Sequence, residues 1–112
     1  MQNTFSSLST LLAYTFKNPS LLEQALTHRS AHPVHNERLE FIGDSLVNLI
    51  IGEALYHAHP EQSEGELSRW RAALVQRETL AEIGLEWRLN QYMILGPGEK
   101  KTGGQNRPSN LA

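Results

Sequence analysis

The chain has no cysteine, which excludes a disulfide framework and a thiolate metal centre and fits a reducing compartment. It also has no apolar run near the ~20 residues that a membrane helix needs. No early segment joins a basic stretch to a clean apolar one and a small-residue cleavage site. A soluble, cytoplasmic protein with no membrane partner is expected. A surplus of positive charge is missing too: 10 Lys and Arg face 12 Asp and Glu, for a net charge of −2 and a pI near 6.2. Domains that hold nucleic acid by phosphate neutralisation alone tend to have a pI above about 9. A nucleic-acid partner would therefore need divalent cations to screen the acids, with most sequence-independent affinity supplied by another module.

Strand-like alternation, internal repeats and low-complexity tracts are absent as well. The one β-like run, residues 92–95, sits beside turns and reads as an extended loop. What is present is helical periodicity over 112 residues, enough for one domain or part of one with a modest core. A first helix is expected over residues 5–14, preceded by Thr4 and carrying Leu8, Leu11 and Leu12. A second starts after Asn18 with Pro19 at its first position, where proline is favoured, and its stripe is Leu22, Ala25 and Leu26. Residues 28–35 are loop, marked by Pro33, and a long helix runs over residues 36–57 before Pro60. Ser63 and Glu66 have capping-box spacing at the start of a helix with Leu67, Trp70, Ala73 and Leu74 on one stripe. The next, over residues 77–88, turns Leu80, Ile83, Gly84 and Trp87 inward. Gly96, Pro97 and Gly98, then Gly103 and Gly104, mark an irregular segment.

The long helix carries the chemistry. It opens Asn36-Glu37-Arg38-Leu39-Glu40-Phe41-Ile42-Gly43-Asp44-Ser45, so Glu37, Glu40 and Asp44 stand at i, i+3 and i+7. At 100° per residue they fall within about 60° of one another, and like charges so placed repel by roughly 0.2–0.5 kcal/mol per pair. Leu39, Ile42, Leu46, Leu49 and Ile50 are expected to form the main buried stripe, with Val47 and Ile51 continuing the acidic face as hydrocarbon. Two readings of the acids stand side by side. Acids near a helix start complement its macrodipole, which accounts for Glu37 and Glu40 better than for Asp44, two turns in. Alternatively a divalent cation offsets the repulsion; magnesium, which keeps several waters, needs only one or two carboxylates as its protein anchor.

The run from Glu37 to Ser45 resembles the nine-residue signature of the ribonuclease III endonuclease domain. Further segments resemble bacterial members in the same order: Gln24-Ala25-Leu26-Thr27-His28-Arg29-Ser30, Glu64-Gly65-Glu66-Leu67-Ser68, Arg71-Ala72-Ala73-Leu74-Val75 and Leu95-Gly96-Pro97-Gly98-Glu99. The resemblance implies the all-α helical fold of that domain and a magnesium-dependent endonuclease, with manganese able to substitute, acting on double-stranded RNA. Staggered products with 5′ phosphates and work on ribosomal, messenger and transfer RNA precursors are implied with it. Glu40 and Asp44 become the catalytic metal ligands, and Glu37 and Glu64 second-tier residues of the same valley that bind substrate or support geometry, with Glu64 near the acids of the partner subunit. Without the resemblance, Glu64 reads as an N-terminal acid aligned with its helix dipole and Phe41 as a core aromatic. With it, Phe41 packs into a second subunit, so that a homodimer sets two acid clusters across one groove.

Family members continue from a segment like Arg107-Pro108-Ser109-Asn110-Leu111-Ala112 into an aspartate, with a glutamate three residues later. A helix capped by Ser109 would aim that pair at Glu40 and Asp44. Residues 1–112 are therefore expected to be the nuclease domain, incomplete at its C-terminal end and without the double-stranded-RNA-binding domain, and inactive alone. Such a piece is expected to expose apolar surface around Trp70 and Trp87. The competing reading is a non-catalytic scaffold of the same fold that dimerises and binds RNA. Zinc at His28, His32, His35, His57 and His59 is disfavoured by the lack of cysteine and by Pro33. A nucleotide cradle at residues 96–104 is disfavoured by the missing strand and Gly-Lys-Ser/Thr order, so no nucleotide cofactor is expected. Lys100, Lys101 and Arg107 remain available to an RNA backbone.

Overall fold

The structure is a computed structural model that describes residues 2–112, with side chains from Phe5 onward. It is all-α among the described residues, as expected. The helices are α1 (Gln2–Leu12), α2 (Pro19–Ala25), α3 (Glu37–Ala58), α4 (Glu64–Val75), α5 (Arg77–Glu86), α6 (Pro97–Lys101) and α7 (Pro108–Leu111), with 3-10 turns at Leu89–Gln91 and Gly104–Asn106. The first helix thus begins earlier than its pattern predicts, so Thr4 lies inside it and its side chain falls outside those described. It ends two residues early because Ala13 takes φ 55°, which lets Tyr14 N–H reach back to Ser9 O at 3.1 Å. Asn18 caps α2 as expected, its Oδ1 accepting from Ser20 N–H at 3.2 Å.

Leu8, Leu22 and Leu26 form the core between α1 and α2, with Phe5, Leu12, Phe16, Leu89 and Tyr92 packed around it. Each fully buried leucine stabilises the fold by roughly 1.5–3 kcal/mol. Leu11 and Ala25, expected on those stripes, are exposed. Beside this core the extended run near Ile94 pairs with the end of α2: His28 N–H donates to Ile94 O at 2.9 Å and Ile94 N–H to Leu26 O at 2.8 Å. Two residues on, Gly96 N–H donates to Ser30 Oγ at 2.8 Å. A Cβ at Gly96 would stand 2.3 Å from Ser30 O and 2.8 Å from its carbonyl carbon, so only glycine permits this approach. Gly96→Ala is expected to cost roughly 2–3 kcal/mol through forced separation of the two segments and loss of that hydrogen bond. Thermal denaturation monitored by circular dichroism checks it; an unchanged midpoint would contradict the close packing.

Several local expectations are corrected. Gly96 to Gly98 do not form an irregular segment: Pro97 starts α6, and Gly103 at φ 82° turns the chain into the second 3-10 turn. Ser109 is no cap, because Pro108 occupies the first helical position of α7 and Arg107 the position before it. Ser63 Oγ accepts from Glu66 N–H at 3.2 Å, but Glu66 pairs with Arg69 in place of closing the box. Ala73 and Leu74 are exposed, and Trp87 lies just past the end of α5 at 44% exposure, where it was expected inside the helix facing inward.

The largest correction concerns α3. The stripe expected to be buried is exposed: Ile42 54%, Leu46 51%, Leu49 64% and Ile50 62%, with Leu39 half-buried. The half-buried side is instead the one continuing from the acids, Gly43, Val47, Ile51, Gly52 and Leu55, which faces α4. Val47 and Ile51 were read as hydrocarbon continuing the acidic face, and that is the face the helix packs with. The radius of gyration is 15.8 Å, against about 13 Å for a compact chain of this length. The accessible surface is 8320 Å², against roughly 6200 Å² for a closed monomer of 12.6 kDa. An excess of about 2000 Å² is the area of a sizeable protein interface, and the outer side of α3 carries much of its apolar part.

Candidate active site

The acid-bearing end of α3 is set by the residues just before it. Asn36 leaves its cap position unused as a side chain: its Nδ2 donates to Ala25 O at 3.1 Å and its N–H to Thr27 O at 3.0 Å, tying the helix start to the end of α2. His35 caps in its place, its Nδ1 accepting from Glu37 N–H at 3.3 Å while its Nε2 lies 4.0 Å from Glu37 Oε1. Gln24 Nε2 holds the His35 carbonyl at 3.1 Å. The capping histidine was missed in the sequence because Asn36 supplies the stronger cap signal.

From this start Glu37, Glu40 and Asp44 project into one open groove of about 740 Å³. Its other walls are Val75, Arg77 and Leu80, from the end of α4 and the start of α5, together with Ser109 and Ala112 of the α7 region. An adjoining cavity of about 470 Å³ shares Glu37, Glu40, Ser109 and Ala112 and adds His28, Arg29 and Asn110. Among the described residues no hydrogen bond or ion pair occupies the carboxylates of Glu40 or Asp44, and both residues are exposed. Asn48 donates to the Asp44 carbonyl, not to its carboxylate. Two hard, unengaged carboxylates one helical turn apart suit a magnesium ion that keeps several waters. Among the described residues no group of three or more potential ligands is assembled for a metal, so the two carboxylates do not by themselves make a complete cage.

Arg77 was not singled out by the sequence reading, since an arginine at a helix start opposes the dipole and carries no motif. Its place on the wall facing the acids appears only when α5 packs. Glu64, by contrast, is not brought to these acids within one chain. It lines a separate cavity of about 560 Å³ between α3 and α4, with Asn48, Gly52, Tyr56 and Arg71, and the two cavities share no residue. Phe41 borders the acid groove at 77% exposure, so the core reading of this aromatic is excluded within the chain.

Comparison with known proteins identifies the family and the fold. The profile of the family described as Ribonuclease-III-like matches residues 18–112. Ribonuclease 3 of Pasteurella multocida is 54% identical over 112 residues, which is all of this chain and 50% of that protein. Ribonuclease 3 of Shewanella denitrificans is 57% identical over 105 residues, 94% of this chain and 46% of that one. The chain thus spans about half the length of the curated relatives it matches. The crystal structure of the nuclease domain of ribonuclease III from Campylobacter jejuni superposes with a TM-score of 0.90 at 40% identity, covering 95% of this chain and 73% of that one. A second structure of that domain, described for flexibility in a region involved in dimer formation, gives 0.91.

Proposed function

The chain belongs to the Ribonuclease-III-like family, and from that membership we propose that it is the acid-bearing part of a magnesium-dependent endonuclease domain that cleaves double-stranded RNA. The observation that carries the proposal is the unengaged pair Glu40 and Asp44 in a groove whose far wall is the end of α7. An aspartate and glutamate pair such as family members carry would complete the ligand set if brought to that groove. Glu40 and Asp44 would hold a magnesium ion, or manganese in its place, which would supply Lewis acidity for phosphodiester hydrolysis. Glu37, beside His35, adds negative potential to the groove. Arg77 offers a guanidinium to a neighbouring phosphate. With a net charge of −2 the domain depends on such cations, and a duplex would be read by A-form shape and 2′-hydroxyls more than by sequence.

The exposed faces of α3 fit the same proposal. Ile42, Leu46, Leu49 and Ile50 form a stripe that further parts of the domain would cover, and a quarter of the matched nuclease-domain chain lies outside the superposition. Phe41, on the acid side, would enter a second copy, and a two-fold axis there sets Glu64 of one copy toward the acids of the other. Processing of ribosomal, messenger and transfer RNA precursors in the cytoplasm follows as the proposed role. The test is cleavage of a long RNA duplex with magnesium by the 112-residue chain and by one extended to the length of its relatives. Cleavage is expected only from the extended chain. Binding without cleavage by both forms would favour a scaffold of this fold that dimerises on RNA.

A further inference from the structure

α7 has four residues, too few to hold a helix by its own hydrogen bonds, yet its end forms the wall opposite Glu40 and Asp44. Two things fix it. Leu111, at 5% exposure, lies against Gly84 of α5, where a Cβ would come within 2.9 Å of Leu111 O. On the other side stands Glu99 of α6, whose Oε2 forms an ion pair with Arg107 Nη1 at 3.2 Å and accepts from Asn110 Nδ2 at 3.2 Å. Asn110 Nδ2 also donates to Gly104 O at 2.9 Å, and Arg107 Nη2 to Thr102 O at 3.2 Å. One carboxylate, with its side chain only 20% exposed, therefore gathers the residue before α7, the third residue of α7 and the turn between α6 and α7. Gly104 is part of the device, because a Cβ there would stand 2.4 Å from Glu99 Oε2 and 2.5 Å from its Cγ.

We propose that Glu99 is a positioning residue that, through Arg107 and Asn110, clamps α7 and so fixes the wall of the groove opposite Glu40 and Asp44. The proposal deepens the nuclease reading but rests on contacts independent of it. Glu99 lines neither cavity that contains the acids and does not touch the reacting groups. It acts through α7.

Hydrogen exchange on the 112-residue chain tests the clamp without any reaction. The reporters are the amides of Leu111 and Ala112, which donate to Arg107 O at 3.1 Å and to Pro108 O at 2.9 Å. In Glu99→Ala these two are expected to exchange at least tenfold faster while amides of α3 and α4 keep their rates. Glu99→Gln retains an acceptor for Asn110 and is expected to stay within about threefold of the parent. Gly104→Ala, which expels the carboxylate, is expected to match Glu99→Ala, and the double variant to add nothing further. Unchanged exchange at Leu111 and Ala112 in Glu99→Ala, or equal acceleration throughout the chain, would overturn the proposal. If Gly104→Ala does not fold, Asn110→Ala carries the same comparison.

In the extended chain the same loosening is expected to lower kcat for duplex cleavage at least tenfold and raise the magnesium concentration needed, with KM for RNA within twofold. Glu99→Gln is expected to recover most of the rate. A change in KM alone would overturn the positioning role. Absence of cleavage by the unmutated extended chain would count against the nuclease reading and leave the exchange result standing.

Discussion

Replacing Asp44 with asparagine in the extended chain is expected to lower magnesium-dependent duplex cleavage on the order of 10²–10³-fold, because one anionic ligand is lost from an ion that supplies several kcal/mol of transition-state stabilisation. The same substitution is expected to leave the fold intact. Asp44 is exposed and its carboxylate has no hydrogen-bond partner among the described residues, while asparagine keeps its shape. Neutralising it also removes repulsion from Glu40, worth roughly 0.2–0.5 kcal/mol. Single-turnover cleavage beside a thermal melt separates the two effects. Retained cleavage with an unchanged melt would assign the acids of α3 to dipole complementation and remove them from the chemistry.

The second large effect is expected at Phe41. At 77% exposure the ring contributes little to folding of the single chain, so Phe41→Ala is expected to shift monomer stability by no more than about 0.5 kcal/mol. In a two-fold dimer the ring is buried twice, once by each copy, at roughly 1.5–3 kcal/mol each. The sum predicts a loss of about 10²–10⁴ in dimer affinity for the extended chain. Sedimentation velocity over a concentration series reads it directly. A dimer of undiminished affinity would place the interface elsewhere, with the exposed surface of α3 around Tyr56 the next candidate.

Much of the architecture was legible because the signals are local. Asn18 with Pro19, Ser63 with Glu66, and the stop before Pro60 each act within a few residues, and each marks a helix end to within a residue or two of its place. The errors fall where a distant segment decides. Gly96 and Pro97 read as loop punctuation, but contact with Ser30 lets Pro97 begin a helix. Ser109 is the local exception, losing the capping role to the adjacent Pro108, which starts the helix. The α3 stripe was misassigned because periodicity reports that a face is apolar and not what covers it. Ile42, Leu46, Leu49 and Ile50 do form one face, and nothing in the described chain lies on it to the depth of burial.

The sequence by itself determined the class of the fold, the spacing of Glu37, Glu40 and Asp44 on one side of a helix, and the lack of any thiol or net positive charge to do the work in another way. Those are properties of the chain over one or two turns, fixed by the helical repeat and by which side chains are present. Tertiary structure alone decided that Asn36 turns from the cap of the acid helix to Ala25, that Arg77 lines the groove of the carboxylates, that Glu64 lies in a different cavity, and that Glu99 holds α7 against the groove. Each of these joins residues that packing brings together or holds apart, and the energy that selects among such placements comes from burial and hydrogen bonding summed over several elements, which no short window of sequence contains.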